Sequence, residues 1–425
     1  MTIKRNRAFA ILGATSVLAL AACSTPGGGG GADADVPGIT DETVTIGTHQ
    51  PLTGPAAAGF ASISAAANAY FEYINDNGGI NGRTIEYIVK DAGYNPATTQ
   101  TVVRELVLED EVFAILGGLG TPTHSSVLDF LADNEVPDLF AASGTPTWDQ
   151  PEKYPYTFGY QAEYPTEAAI LANYAQTEFA DGTYCMFGQD DDFGTDFEQG
   201  LTEILGDDGL AASEVYSVAN QDVLPQISAL KSAGCDVVFL ASINGFTAAA
   251  VGTAAKLGYF PQWMASSSGG DYSTLEGYLG EATPKLLEGF ISTFYLSMAS
   301  TTEDDAWVEL FKKVNTEYNE GAEFDGNQIY GMTMAYQFAE ALAAAGENPT
   351  RESLVEAVES GAVKGTGVVP LGFSADDHSG YLGVRLSTVK ATVQDYFGPA
   401  YVYADGEVTE YEGERPEVVN EGIPE

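Results

Sequence analysis

The sequence predicts an α/β protein composed of two similar lobes. Short apolar segments of strand character alternate with segments of helical length over residues 44–142, and the same alternation starts again after Pro165. Strands separated by helices form βαβ units, which produce a parallel sheet. Because the alternation occurs twice, without a recognisable sequence repeat, we expect one sheet with flanking helices in each of two lobes.

Local signals place the elements of the first half. Residues 83–90 alternate between apolar and polar side chains around Ile85, Tyr87 and Val89, which indicates a strand. Glycines follow the first predicted helix, and Pro96 stands in the first turn of the next one. The predicted strands are 44–47, 83–90, 112–116 and 138–142, and the predicted helices are 56–75, 95–109 and 125–134.

The second half repeats this pattern and then departs from it. Its predicted strands are 183–188, 212–218, 236–241 and 262–265, and its predicted helices are 166–179, 193–205, 223–232 and 247–257. Beyond residue 287 we expect a strand at 289–295, helices at 304–319, 326–345 and 350–360, and late strands at 380–389 and 399–403. The acidic, proline-containing segment 406–425 is predicted to be a loose tail.

Charge and motifs exclude several classes of function. The chain has 61 Asp and Glu against 17 Lys and Arg, a formal net charge of −44, so its surface repels the phosphates of nucleic acids. The sequence contains no H-E-x-x-H, phosphate-binding P-loop or G-x-S-x-G motif. The three histidines show no metal-ligand spacing. We therefore expect no catalytic residues, no metal and no cofactor.

The N-terminus has the features of an export signal. Lys4, Arg5 and Arg7 precede an apolar stretch at 8–22, which ends in Leu-Ala-Ala before Cys23. This ending resembles the bacterial lipobox, in which the cysteine is lipidated after cleavage. The resemblance implies a signal peptide at 1–22, lipidation of Cys23 and a flexible tether at 23–40, with the protein anchored on the extracytoplasmic face of the cell membrane. A plain secretory signal or a short anchor is the alternative.

The two other cysteines leave two possibilities open. An exported protein with two cysteines can form one disulfide. Cys185 lies within an apolar run, and Cys235 directly precedes one. Two buried free thiols are therefore an equally good interpretation.

Ordered motifs connect these elements to a known family. The chain has PLTGP at 51–55, INDNGGING at 74–82, GGLGTPT at 117–123, FAAS at 140–143 and GQDDDFG at 188–194. This series resembles the periplasmic substrate-binding proteins of ABC transporters, of the branched-chain amino-acid type, over about residues 42–400. The resemblance implies the type I fold, in which two α/β lobes, each with a mostly parallel sheet and helices on both faces, are joined by three hinge crossovers.

The family fold also implies a division of the chain. We expect lobe one to contain 41–160 plus 291–368 and lobe two to contain 161–290 plus 369–405, with 406–425 as the acidic tail. The crossovers are expected near 158–161, 289–293 and 368–373. The ligand of this family lies in the cleft between the lobes, and hinge closure traps it there.

The resemblance further implies ligand contacts on both sides of the cleft. On the first lobe, Gly120 and Thr121 match positions that bind a ligand carboxylate, and Ala141, Ala142 and Ser143 match the next loop, which supplies a carbonyl and a hydroxyl. Gly59 or Phe60, shortly after the PLTGP loop, is expected at the cleft, with Phe60 taken as the contact residue.

On the second lobe, Phe193 stands where many members have tyrosine. Amino-acid binders of the family hold the ligand ammonium with an acidic residue near 264–268. This chain has no carboxylate there, so Ser267 is expected to line the site and Asp271 to take the acidic role.

The implied function is a solute receptor of an ABC importer. It is expected to act as a monomer, to bind a small amino acid or a related carboxylate or amide, and to deliver it to permease and ATPase subunits. Two alternatives are a sensory ligand-binding module for aromatic or aliphatic carboxylates or amides, and an extracellular enzyme. The absence of a nucleophile and base motif counts against the enzyme.

Overall fold

Two separate β-sheets organise residues 36–425, the part of the chain that the computed structural model describes. The predicted signal peptide, the lipidation site Cys23 and most of the tether lie outside the described residues. Within residues 36–425, no helix is both long and apolar enough to cross a membrane.

The first sheet is entirely parallel. Its strand order is β2-β1-β3-β4-β5. The strands are β1 (Thr43–Gln50), β2 (Thr84–Asp91), β3 (Ile115–Leu116), β4 (Asp138–Ala141) and β5 (Thr157–Gly159). Every strand side chain of β3, β4 and β5 is buried, as expected for a parallel sheet that is covered on both faces.

The helices of the first half are shorter and more divided than predicted. They are α1 (Ala57–Phe60), α2 (Ser62–Asp76), α3 (Pro96–Leu108), α4 (Thr121–Ser125) and α5 (Leu128–Asp133). The predicted helix 56–75 is divided at Ala61. The N-terminus of α3 is capped by Asn95, whose side chain accepts hydrogen bonds from two backbone N–H groups of the first turn.

The second sheet is mixed. Its strand order is β13-β12-β11-β10-β9-β8-β6-β7, with parallel pairing from β7 to β10 and antiparallel pairing from β10 to β13. The strands are β6 (Tyr184–Gln189), β7 (Ala212–Tyr216), β8 (Val237–Ala241), β9 (Gln262–Ala265), β10 (Ile291–Phe294), β11 (Gly383–Lys390), β12 (Val393–Ala404) and β13 (Glu407–Tyr411).

Helices of the second half belong to two groups. The first group precedes or follows the parallel strands of the second sheet in the chain: α6 (Tyr164–Glu178), α7 (Asp192–Leu205), α8 (Leu224–Ala233), α9 (Asn244–Lys256), α10 (Tyr272–Leu279) and α11 (Thr283–Leu286). The second group is α12 (Ala306–Tyr318), α13 (Gly326–Ala344) and α14 (Arg351–Glu359). Helices α12 and α13 pack against α2, so the chain returns to the first sheet after β10.

Strand β10 bears on the expected division into lobes. The expected lobe one includes residues 291–294, but Ile291 pairs with Met264 of β9, and Ser292 pairs with Ala265. The return of the chain to the first sheet therefore begins after Phe294. The remaining boundaries stay a proposal.

The C-terminal segment is not a loose tail, so that prediction is wrong. Strand β13 pairs with β12, the Trp307 indole Nε1 donates to the carbonyl of Pro416 (2.8 Å), and the Tyr70 hydroxyl donates to that of Gly422 (2.6 Å). Arg415 Nη1 contacts Asp305 Oδ2 at 2.5 Å. Acidic composition alone did not reveal the contacts with Trp307, Tyr70 and Asp305, because these residues lie more than 100 positions away in the sequence.

The two cysteines form a disulfide. Cys185 of β6 and Cys235, two residues before β8, are bonded, with their Cα atoms 5.8 Å apart. Because β6 and β8 are paired neighbours in the sheet, their chain ends are brought within disulfide distance. Both residues are buried.

Candidate ligand-binding cleft

A cavity that is partly open to solvent lies between the carboxyl ends of strands from both sheets. This is the position at which open parallel sheets usually bind ligands. It is lined by residues that follow β1, β2, β3 and β4 on one side and β6, β8, β9 and β10 on the other, together with the start of α13.

Most of the predicted site residues come together at this cavity. The lining includes Phe60, Gly120, Thr121, Ala142, Phe193, Ser267 and Asp271. No ligand contact has been tested for any of them, so their role in binding stays a prediction.

Ala141 and Ser143 do not line the cavity. Ala141 ends β4 and packs with Leu128 and Trp148, because successive side chains of an extended segment point in opposite directions. Ser143 lies one layer behind the wall, where its Oγ is 2.7 Å from the Oγ1 of Thr121. It therefore orients a lining hydroxyl.

The first-lobe wall depends on a glycine. Gly120 has a φ of 101°, in the left-handed region that favours glycine. A Cβ atom at this position would lie 2.5 Å from the ring of Tyr94 and 2.6 Å from the hydroxyl of Thr123. The missing side chain therefore lets the Tyr94 ring lie directly against the loop that presents Thr121.

Two buried histidines support the same loop from behind. His49 Nε2 is 2.9 Å from His124 Nδ1, and His124 Nε2 is 2.8 Å from Asp138 Oδ2. A Cβ atom on Gly118 would meet both rings. Burial, with a smaller effect of His124, lowers the pKa of His49. This pair stabilises the wall and lies outside the cavity lining.

Aromatic side chains form much of the lining. They are Phe60, Tyr94, Tyr164, Phe193, Phe294, Tyr295 and Tyr330. The rings of Tyr164 and Phe193 are 4.1 Å apart between centroids. Sequence reasoning identified two of these residues and missed the five others. Their signal was weak, because they lie at or after strand ends or on helices, and the elements that they face are distant in sequence.

Asp271 is the one acidic residue of the lining, which also contains no Lys, Arg or His. Its Oδ2 accepts hydrogen bonds from the backbone N–H and the hydroxyl of Thr274, both at 2.8 Å. The Oδ1 of Asp271 has no hydrogen-bond partner among the described residues. Burial raises the pKa of Asp271, although the hydrogen bonds from Thr274 and Gly326 oppose that effect.

Two further polar atoms of the same wall are buried without a partner among residues 36–425. They are the Oδ1 of Asn244 and the Oγ of Ser267. Buried polar groups are nearly always hydrogen-bonded, so such unpartnered atoms on a cavity wall indicate contacts to a ligand or to water. The second-lobe wall therefore contains three buried oxygen atoms without a partner among the described residues.

Several hydrogen bonds join the two sides of the cleft. Gln189 Nε2 donates to the Tyr94 hydroxyl at 3.2 Å, and Asn244 Nδ2 is 3.5 Å from the carbonyl of Gly59. The N–H of Gly326, at the start of α13, donates to Asp271 Oδ2 at 3.4 Å. Because each bond joins residues from different sheets or their helices, the structure corresponds to a closed arrangement.

Glu167 is a buried acidic residue that sequence reasoning missed. It lies on α6 behind Ser267, and its Oε2 accepts from the hydroxyl of Ser266 (2.5 Å) and the N–H of Ser267 (3.3 Å). Burial raises its pKa to about 7, against the lowering effect of these hydrogen bonds. The sequence around Glu167 did not indicate that this residue is buried, because its burial depends on the packing of α6 against the second sheet.

The raised pKa of Glu167 predicts that the free energy of unfolding falls as the pH rises. A carboxyl whose pKa is raised by folding contributes stability below its unfolded pKa, and this contribution is lost as the pH rises through about 7. We expect Glu167→Gln to flatten the decline of the unfolding free energy between pH 5 and pH 8 by about 2 kcal/mol. Denaturant titrations of both proteins across this range measure the difference. Parallel pH profiles for the two proteins would contradict it.

Comparison with known proteins decides the family. A family model described as periplasmic binding protein matches residues 43–394. The chain belongs to the periplasmic binding protein family. Membership in this family implies an extracytoplasmic location and the binding of solutes.

A curated protein with a related sequence supports this family membership. It is similar to the Leu/Ile/Val-binding protein homolog 1 of Brucella abortus (strain 2308), with 24% identity over 351 residues that cover 82% of this chain and 88% of the relative.

Solved structures show the same two-lobed fold. A branched-chain amino acid ABC transporter protein from Thermus thermophilus with bound valine has a TM-score of 0.75, 21% identity, and coverage of 86% of this chain and 98% of that chain. A fatty acid ABC transporter substrate-binding protein from Thermomonospora curvata has a TM-score of 0.76, 22% identity, and coverage of 87% and 94%. The type I fold predicted from the sequence is confirmed.

Proposed function

We propose that this periplasmic binding protein is the lipid-anchored solute receptor of an ABC importer, and that its ligand is an amino acid with an apolar side chain. The proposal assigns the ligand to the cleft between the two sheets. Closure of the lobes around the ligand would produce the form that permease and ATPase subunits recognise.

Asp271 is the observation that carries the amino-acid assignment. Its buried carboxylate has an oxygen without a partner on the cavity wall, and the lining supplies no cation to neutralise it. A buried charge without a partner is unfavourable, so a ligand that brings a positive group to Asp271 gains binding energy. An ammonium group would also find the Oδ1 of Asn244 and the Oγ of Ser267 on the same wall.

The opposite wall suits the other end of an amino acid. The Thr121 hydroxyl and the backbone around Gly120 provide neutral hydrogen-bond donors for a carboxylate, and the aromatic lining provides the apolar surface for the side chain. A fatty acid, the ligand type named for the Thermomonospora protein, has no group that would pair with Asp271.

The lipid anchor rests on the N-terminal sequence. Cys23 follows Leu20-Ala21-Ala22 and a basic, apolar leader, which supports cleavage and lipidation at this residue. The proposed receptor would then act on the extracytoplasmic face of the cell membrane, next to its transporter. Binding, and not catalysis, is the proposed activity, since the relatives are named as binding proteins.

A thermal-shift screen of the purified protein tests the ligand class. The panel contains leucine, valine and phenylalanine, the matching acids without the amino group, the matching amines without the carboxyl group, and simple amides. A ligand that binds only the folded state raises the unfolding midpoint. We expect shifts with the amino acids and smaller shifts, or none, with the single-group analogues.

The second candidate function is a sensory module for aromatic or aliphatic carboxylates or amides. The aromatic lining and the absence of a carboxylate at 264–268 favour it. Shifts with the deaminated acids or the amides, but not with the amino acids, would support this candidate and contradict the first.

A further inference from the structure

Tyr94 has an unusual backbone conformation beside the cavity. It follows β2, lines the cavity and is 7% exposed. Its φ of 53° lies in the left-handed region, which a bulky side chain rarely adopts. Such conformations persist where the surrounding structure holds them, and they concentrate at functional sites. Here the strained position holds the Tyr94 ring against Gly120, next to Thr121.

A chain of hydrogen bonds connects the Tyr94 hydroxyl to the second lobe. The backbone N–H of Ile243 donates to the hydroxyl of Tyr216 (3.1 Å), and that hydroxyl donates to Gln189 Oε1 (3.0 Å). Gln189 Nε2 donates to Asp191 Oδ2 (2.6 Å) and to the Tyr94 hydroxyl (3.2 Å). Tyr216 and Gln189 are almost fully buried, so water does not compete for these bonds.

The two ends of the chain fix its direction. A backbone N–H can only donate, so Tyr216 accepts from Ile243 and directs its own hydrogen to the Gln189 carbonyl oxygen. A carboxylate can only accept, so the Gln189 amide nitrogen faces Asp191. Both conditions select the same orientation of the Gln189 amide. Tyr94 must therefore accept from Gln189, and its own hydrogen is directed elsewhere.

We infer that Tyr94 is a ligand-contacting residue that donates its hydroxyl hydrogen to a carboxylate oxygen of the bound ligand, and that Gln189 fixes this direction when the lobes close. Within the described residues, the Tyr94 hydroxyl has no acceptor for its own hydrogen. The ring lies beside Gly120 and Thr121, where the proposed function places the ligand carboxylate, so this inference rests on that proposal. Gln189 acts through Tyr94 and is a positioning residue.

The test compares Tyr94→Phe with wild type by calorimetric titration of the purified protein. The probes are L-leucine, L-phenylalanine and the primary amides of both, which replace the carboxylate by a weaker acceptor. We expect Tyr94→Phe to weaken binding of the acids about tenfold to a hundredfold and to weaken binding of the amides less, because a bond to a charged acceptor is the stronger one. The acid-to-amide preference should therefore shrink.

Two further variants separate this role from simple packing. Gln189→Met keeps the Tyr94 hydroxyl but removes the donor that fixes its direction, so it should weaken acids more than amides, by smaller factors than Tyr94→Phe. Tyr403→Phe removes a hydroxyl that donates to Glu203 Oε2 outside the cavity, and it should leave binding unchanged.

Each other outcome overturns the inference. An unchanged affinity of Tyr94→Phe, or an equal loss for acids and amides, would show that Tyr94 donates nothing to a ligand carboxylate, while the proposed function would stand. If wild type binds none of the four probes, the proposed function fails and the inference fails with it.

Discussion

Replacing Cys185 and Cys235 together by alanine is expected to lower the free energy of unfolding by about 4 kcal/mol. The disulfide closes a loop with a sequence separation of 50 residues. In the chain-entropy description, such a crosslink restricts the unfolded chain, and the effect grows slowly with loop length. Denaturant-induced unfolding of the variant and wild type measures the change.

Reduction provides the matched control for this prediction. When wild type is unfolded and refolded in a reducing agent, its free energy of unfolding should fall towards that of the double variant. The same treatment should leave the free energy of unfolding of the double variant unchanged. Equal stabilities of the oxidised wild type and the variant would contradict the expected contribution. Because Cys185 in β6 and Cys235 just before β8 both lie outside the cavity lining, ligand affinity of the folded variant should be retained.

Asp271→Asn is expected to weaken amino-acid binding by about 2–4 kcal/mol, because a ligand ammonium would lose its charged partner in a buried site. The asparagine oxygen can still accept from the N–H of Thr274, so the N-cap of α10 is kept. In the unliganded protein, the substitution removes a buried charge, and stability should be equal or higher. Calorimetric titration with the amino acids that shift wild type measures the loss.

Asp325→Asn is the control for this substitution. Asp325 caps α13 next to Gly326 and is outside the cavity lining, and burial together with the charge of Asp271 raises its pKa to about 7. Because it lacks direct access to the ligand, its substitution should change affinity much less. Equal losses in both variants, or an unchanged affinity of Asp271→Asn, would exclude Asp271 as the ammonium partner.

The order of elements was predictable because it depends on local signals. Periodicity and turn residues placed the parallel strands of both sheets close to their observed positions, for example 262–265 for β9. The short strand β5 and the terminal strand β13 were missed. Strand β5 has only three residues and is stabilised by its pairing with β4, so its own sequence carried little signal. Strand β13 follows Asp405-Gly406, a local hairpin signal that the prediction of a loose tail overlooked.

The candidate site was predictable in part for the same reason. Gly120, Thr121 and Phe193 follow strand ends, and strand ends of parallel sheets meet at one edge. Tyr94 also follows a strand end, but its local sequence did not distinguish it from other loop residues, and Glu167 lies on a helix and gave no such signal. The hydrogen bond of Tyr94 to Gln189 and the burial of Glu167 behind Ser267 join residues about 95 and 100 positions apart in the chain, respectively.

The sequence by itself determined the α/β class, the two-lobed organisation, the family and most of the loops that line the cleft. The tertiary structure alone decided the bonding of Cys185 to Cys235, the docking of the C-terminal segment and which side chains face the cavity. The physical reason is that periodicity and turn chemistry act within a few residues. Burial, pairing and hydrogen-bond direction depend instead on which distant segments the fold brings into contact.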